Sequence, residues 1–117
     1  MIWTYQGLLS VHSWGEADGI LFLSSVSAPL CEELQWIVGE RVTIRYWVTD
    51  KQVTQDEAIT AVLERLDGVA DGKFDSCYSE MTGYLWTDEK LTVGGHDLMA
   101  ELHSATGSWL ILEVEVL

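Results

Sequence analysis

Histidine and carboxylate side chains cluster at His96, Asp97, Glu101 and His103, a stretch with the residue types of a metal centre or an acid–base pair. On a helix His96 and His103 share a face seven positions apart, but chelating pairs sit at i, i+4, and position 100 is alanine. A structural role fits better. Asp97 and Glu101 in the opening of a helix complement its positive end, and Gly94-Gly95 lets the backbone turn into it. We expect no metal and no other cofactor. A double glycine ahead of a helix can also aim free amides at an anion. The third glycine of a dinucleotide fingerprint and the lysine of a phosphate loop are both missing, and Asp97 repels a phosphate. Gly94, Gly95 and His96 therefore stand as candidates for a small anionic ligand only if an oligomer supplies Arg41 or Arg45.

Nucleophilic chemistry is equally thin. Cys31 and Cys77 are 46 positions apart, outside Cys-x-x-Cys spacing, and read as reduced, part-buried thiols. No serine sits in a nucleophile elbow, and nineteen carboxylates are too many for any pair to signal acid–base catalysis. We expect no enzyme.

Tryptophan is abundant, with six in 117 residues, and most are expected in the core or on sheet surfaces. Trp14 lies in a hairpin loop beside Glu16 and Asp18, and Trp86 precedes Asp88 and Glu89 at a strand end. An aromatic anchor rimmed by carboxylates is the composition of a site for a basic partner.

The elements that must position these groups follow from periodicity. Residues 2–13 alternate, with Trp3, Tyr5, Leu9 and Val11 on one side, and Gly7 reads as a bulge. A turn over 13–19 leads into Ile20-Leu21-Phe22-Leu23, which makes the first 25 residues a β-hairpin. Pro29 and the spacing of Leu30, Leu34 and Ile37 suggest one or two helical turns. Residues 40–49 form the clearest strand, with Val42, Ile44, Tyr46 and Val48 on one face and Arg41, Thr43, Arg45, Trp47 and Thr49 on the other. Thr54 and Glu57 make a capping box, and Ile59, Val62, Leu63 and Leu66 predict a helix to about Leu66, stopped by Asp67-Gly68. Residues 74–87 read as one bent strand or two short ones broken at Gly83, followed by a polar turn at Asp88-Glu89-Lys90. A short helix opened by Gly94-Gly95-His96-Asp97 runs to about Ser104. A last strand over 108–117 puts Leu110, Leu112, Val114 and Val116 on one face and Trp109, Ile111, Glu113 and Glu115 on the other. The expected fold is α+β: residues 1–117 as one domain, a mainly antiparallel sheet of about five strands, and two or three short helices on one face.

Charge excludes whole classes. Six Lys and Arg against nineteen Asp and Glu give a net charge of −13, and the cations are scattered singly, so direct nucleic-acid binding is ruled out. Disorder is excluded by 48% apolar residues and a mean hydropathy of +0.12. No apolar run reaches membrane-span length and no signal-peptide pattern opens the chain, so a cytoplasmic protein without membrane contact is expected.

The stretch Tyr78-Ser79-Glu80-Met81-Thr82-Gly83-Tyr84-Leu85-Trp86-Thr87-Asp88-Glu89, continued by Val93-Gly94-Gly95-His96-Asp97-Leu98, resembles a segment of small proteins carried by phages and prophages. Size and acidity are similar to those of anti-CRISPR and anti-restriction inhibitors and of immunity proteins against nuclease toxins. The resemblance implies a non-enzymatic inhibitor that occludes the basic nucleic-acid channel of a bacterial host protein or ribonucleoprotein. Its acids never run more than two together, so a phosphate-like track must be assembled by folding. Candidate contacts are Asp75, Glu80, Asp88, Glu89, Glu113 and Glu115, with Trp14 and Trp86 as anchors. The alternatives are an oligomeric binder of a nucleotide-like signal, with Arg41, Arg45, Trp47, Gly94, Gly95 and His96 at its pocket, an immunity protein, and a virion structural protein.

Overall fold

Alternation of apolar and polar residues builds the longest strands, and burial then decides how they assemble. The computed structural model describes residues 2–14, 17–62, 64–78 and 85–117. Strands β1 (Ile2–Trp14) and β2 (Ala17–Leu23) form a hairpin as expected, but the turn predicted over 13–19 is shorter: Trp14, expected in the loop, ends β1 and pairs with Ala17. Residues 2–8 of β1 pair with β8 (Trp109–Val116), and residues 9–14 pair with β2. Gly7 is not a bulge: the register with β8 runs through Gly7↔Leu110 without a shift, and the irregularity lies between His12 and Trp14. Glycine is needed at position 7 for a different reason, since a Cβ there would stand 2.7 Å from Ser24 Oγ and 3.1 Å from Ser24 N.

Strand β3 (Arg41–Thr49) pairs with β8 on one side and with β4 (Glu64–Val69) on the other, giving an antiparallel sheet in the order β2-β1-β8-β3-β4. A second sheet joins β5 (Asp71–Tyr78), β6 (Leu85–Val93) and the two-residue β7 (His96–Asp97). Helix α1 (Leu30–Leu34), continued by a 3-10 turn at Gln35–Ile37, and α3 (Leu98–His103) pack with β6 beneath the five-stranded sheet. One core runs between these layers. Leu9, Leu21, Ile44, Leu112 and Val114 come from the large sheet, Leu91 and Val93 from β6, and Leu34, Leu98 and Leu102 from the helices. The fold is thus broadly α+β but mostly β.

Three local expectations are corrected. The helix predicted to Leu66 ends at Thr60, as α2 (Gln55–Thr60), and residues 64–69 are strand β4. Its capping box is present, with Glu57 N donating to Thr54 Oγ1 at 3.3 Å and Thr54 N to Glu57 Oε2 at 3.2 Å. Past Thr60 the edge of β3 offers six paired positions, and strand geometry sends Leu66 into the core while Arg65 and Asp67 point outward. The polar turn predicted at Asp88-Glu89-Lys90 is the middle of β6, where Glu89 is buried and paired with His103 of α3, the helix packed on that strand. Helix α3 begins at Leu98 rather than at Gly94. Asp97 is its N-cap, accepting from Ala100 N at 3.3 Å, while His96 and Asp97 pair with β6. The break predicted at Gly83 lies outside the described residues.

Gly94 and Gly68 bring the two sheets together. A Cβ on Gly68 would stand 2.8 Å from Gly94 N, and one on Gly94 would stand 2.7 Å from Asp67 O, with φ at +58° besides. Only hydrogen fits at either position.

Candidate functional site

The face of the five-stranded sheet turned away from the core carries a ladder of polar side chains set by cross-strand register. One row runs Thr4–Glu113–Arg45–Arg65, and the next runs Ile2–Glu115–Thr43–Asp67. A third aligns Gln6, Ile111 and Trp47. These rows enclose a cleft of about 630 Å³, within the ~300–1,000 Å³ usual for ligand sites. Trp47 and Ile111 form its floor, with Ile2 and Val62 at its flanks. Its charged lining is Arg45, Arg65, Glu64, Glu113 and Glu115. Ile111 is 4% exposed although it faces away from the core. Gln52, Val53, Thr54 and Glu57 of the β3–β4 connection share a second hollow with Gln6 of β1, which pairs with Ile111.

The cleft's electrostatics are dominated by one fork. Arg45 Nη1 lies 2.8 Å from Glu113 Oε1 and Nη2 lies 3.5 Å from Glu115 Oε1, with all three side chains half-buried or more. Arg65 turns its Nε to Asp67 at 3.2 Å. The Thr43 hydroxyl donates to Asp67 and, with Arg65, holds that carboxyl below its ordinary range against a smaller opposing effect of desolvation. Three carboxylates against two guanidiniums leave the cleft net negative, and Glu64 has no ion pair among the described residues. Trp47 Nε1 and Trp109 Nε1 are buried without a hydrogen-bond partner among the described residues. Trp47 is partly exposed, so what it shows to the cleft is carbon.

The structure brings together Arg45, Trp47, Glu113 and Glu115, which the sequence divided between two sites. Arg41 sits on the same face but at the far end of β3, opposite Val69 and away from the cleft lining. Gly94 and Gly95 form an exposed turn against the backbone of Asp67 and Gly68, and exposed His96 binds Glu101 through Nδ1 at 2.9 Å. None of the three lines the cleft that holds Arg45. Asp75 and Asp88 lie opposite each other in the β5–β6 register, on the other sheet from Glu113 and Glu115. Their side chains lie outside the described residues, as do those of Trp14 and Trp86 and the whole of Glu80. Glu89, expected on an acidic surface, is 6% exposed and accepts from His103 at 2.8 Å.

Two polar ties on the inner side were not anticipated. Glu89 joins β6 to α3 through His103, its second oxygen is buried without a hydrogen-bond partner among the described residues, and its carboxylate acts on the buried Cys31 thiol of α1. Burial, with Glu89 next, pushes the Cys31 thiol up to about 12. The Tyr46 hydroxyl donates to Glu101, which also takes His96. Burial first and Glu101 second raise Tyr46 well above a free phenol, and the two hydrogen bonds overcome desolvation to lower Glu101. A third missed feature is aromatic. Trp36, 41% exposed, meets Trp3 edge-on at 4.5 Å and donates from Nε1 to Tyr5 Oη at 3.2 Å. Its segment carries only three helically spaced apolar residues, and no sequence signal tied it to β1.

Among the described residues no group of three or more His, Cys, Asp or Glu is placed to hold a metal ion, and no helix is long and apolar enough to cross a membrane. No family model, no curated protein and no solved structure matches this chain.

Proposed function

We propose that this protein is a non-enzymatic acidic inhibitor that docks on the basic, nucleic-acid-binding surface of a bacterial protein or ribonucleoprotein in the cytoplasm and occludes it. In this reading it belongs to the anti-defence class that phages carry. The single observation that carries the reading is the outer-face cleft: an apolar floor ringed by a net excess of carboxylates, on a chain of net charge −13. Long-range attraction would speed encounter with a cationic surface, while the floor supplies the desolvated contact that holds it. Of the acids expected at the interface, Glu113 and Glu115 lie in this cleft, joined by Glu64. Glu89 is withdrawn from the proposed contacts because it is buried.

The test is competition. Purified basic nucleases and CRISPR effector complexes are offered labelled DNA in the presence of this protein at low and at moderate salt. The expected result is release of DNA from at least one of them, weakened at the higher salt and abolished by Glu64→Lys with Glu115→Lys. DNA retained by every one of them at low salt overturns the reading.

The size of the cleft and the adjacency of Arg45 and Trp47 favour a second reading, an oligomer that holds a small ligand there. Native mass spectrometry showing an oligomer with an added small mass would establish it.

A further inference from the structure

We propose that the cleft is a receptor for a single arginine side chain, presented by the basic partner; the choice of partner rests on the reading above. Trp47 supplies the first half of the argument. Its Nε1 is fully buried, so the part of the indole open to the cleft is ring carbon, the surface on which a planar cation stacks. The second half is unused acceptor capacity. Glu64 makes no ion pair among the described residues, and Glu115 meets Arg45 only at 3.5 Å, the longer limb of the fork. Two carboxylates with free oxygen lone pairs beside an aromatic floor match a guanidinium, which is flat, weakly hydrated and carries five donors.

An ammonium fits less well, because it is strongly hydrated and loses that shell when it reaches Trp47 and Ile111. An anion fits worst. Arg45 is already held by Glu113 and Glu115, Arg65 faces Asp67, and the remaining charge is negative. The same chemistry already operates within the molecule: Arg45, two residues from Trp47 on the same strand face, is a guanidinium gripped by a pair of carboxylates.

The probes are acetyl-Gly-Arg-Arg-Gly-amide, its lysine counterpart and AMP, titrated into the intact protein by calorimetry, with the Trp47 indole N–H signal followed by NMR. The arginine peptide is expected to move that signal and to bind about tenfold tighter than the lysine peptide, with AMP showing no binding. Glu64→Gln and Trp47→Leu should each weaken it about tenfold. Glu64 is exposed, so its variant keeps the test meaningful even if Trp47→Leu fails to fold. Equal binding of the two peptides, binding of AMP in their place, or arginine binding indifferent to Glu64→Gln overturns the receptor. The parent reading fails separately. A basic protein that is still displaced from DNA by Glu64→Gln removes the arginine receptor alone, whereas DNA retained by every basic protein removes the inhibitor.

Discussion

On the outer face of the large sheet, ionisable groups meet one another as charges, while beneath it they meet as donors and acceptors. Arg45 forks to Glu113 and Glu115, and Asp67 is held ionised by Thr43 and Arg65. Beneath the sheet, Cys31 and Tyr46 keep their protons to higher pH, each beside a carboxylate, Glu89 and Glu101. Depth explains the contrast. In the interior the second charge of an acid pair is too costly, so one member stays neutral and donates, whereas near water both partners can ionise. The ladder keeps its charges available for a partner, and the interior uses its polar groups to tie α1, α3 and β6 to the sheet.

The most severe way to break this contrast is alkaline pH. Below pH 9 the Cys31 thiol is protonated in both folded and unfolded chains and contributes nothing to pH dependence. Between pH 9 and about 12 the unfolded thiol releases a proton that the folded one retains, so stability falls as pH rises. The full loss is on the order of 4 kcal/mol, at about 1.4 kcal/mol per pH unit. Urea unfolding at pH 8, 10 and 11 should fall at least that steeply, because Tyr46, also raised, adds its own loss above pH 10, and Cys31→Ala should make the fall shallower without abolishing it. A slope unchanged in Cys31→Ala would remove the thiol from the account.

Next in size is Glu89→Ala, which takes the carboxylate partner from the His103 ring and opens space in the core. It should lower stability by about 2 kcal/mol, read as a fall in the urea midpoint at unchanged m. Tyr46→Phe deletes one hydroxyl donor to a carboxylate and should cost about 1.5 kcal/mol by the same measurement. Arg45→Met belongs to the half-buried outer fork and should cost less, about 1 kcal/mol, with high salt erasing part of the difference. If it cost more than Glu89→Ala, the division between the two faces would be wrong. Asp67→Asn gives the smallest change and the opposite pH signature. A carboxyl held below its ordinary range stabilises the fold above that range and loses the contribution as pH falls through it. The variant should therefore show a shallower decline in stability on acidification, in the same direction that Glu101 imposes.

Strands β3 and β8 were legible because strict period-two alternation over eight or nine residues has no helical reading. Strand β4 was not, because Ile59, Val62, Leu63 and Leu66 fit a helical stripe as well as Leu66 between Arg65 and Asp67 fits a strand. What decided it was the open edge of β3, a tertiary fact. Glu89 misled for a related reason, since a carboxylate flanked by Asp88 and Lys90 reads as solvated until His103, fourteen residues on, closes over it. The cleft was half visible. Arg45 with Trp47, and Ile111 with Glu113 and Glu115, each stood out on one strand face. Their union depends on the register Arg45↔Glu113, which neither strand specifies alone, and Glu64, Arg65 and Val62 were assigned to the wrong element.

The central strand of the large sheet, β8, is also the latest of its strands in sequence. Until it is in place, residues 2–8 have no ladder to join, and β3 has only β4. Two local hairpins can close early, but the contacts that fuse them span about a hundred residues, from Ile2 to Glu115. Such long loop closures slow folding and leave strand edges unpaired in the meantime. The five-stranded sheet therefore cannot close until β8 has emerged from the ribosome, and the cleft, whose floor that strand completes, is among the last features of the sheet to form.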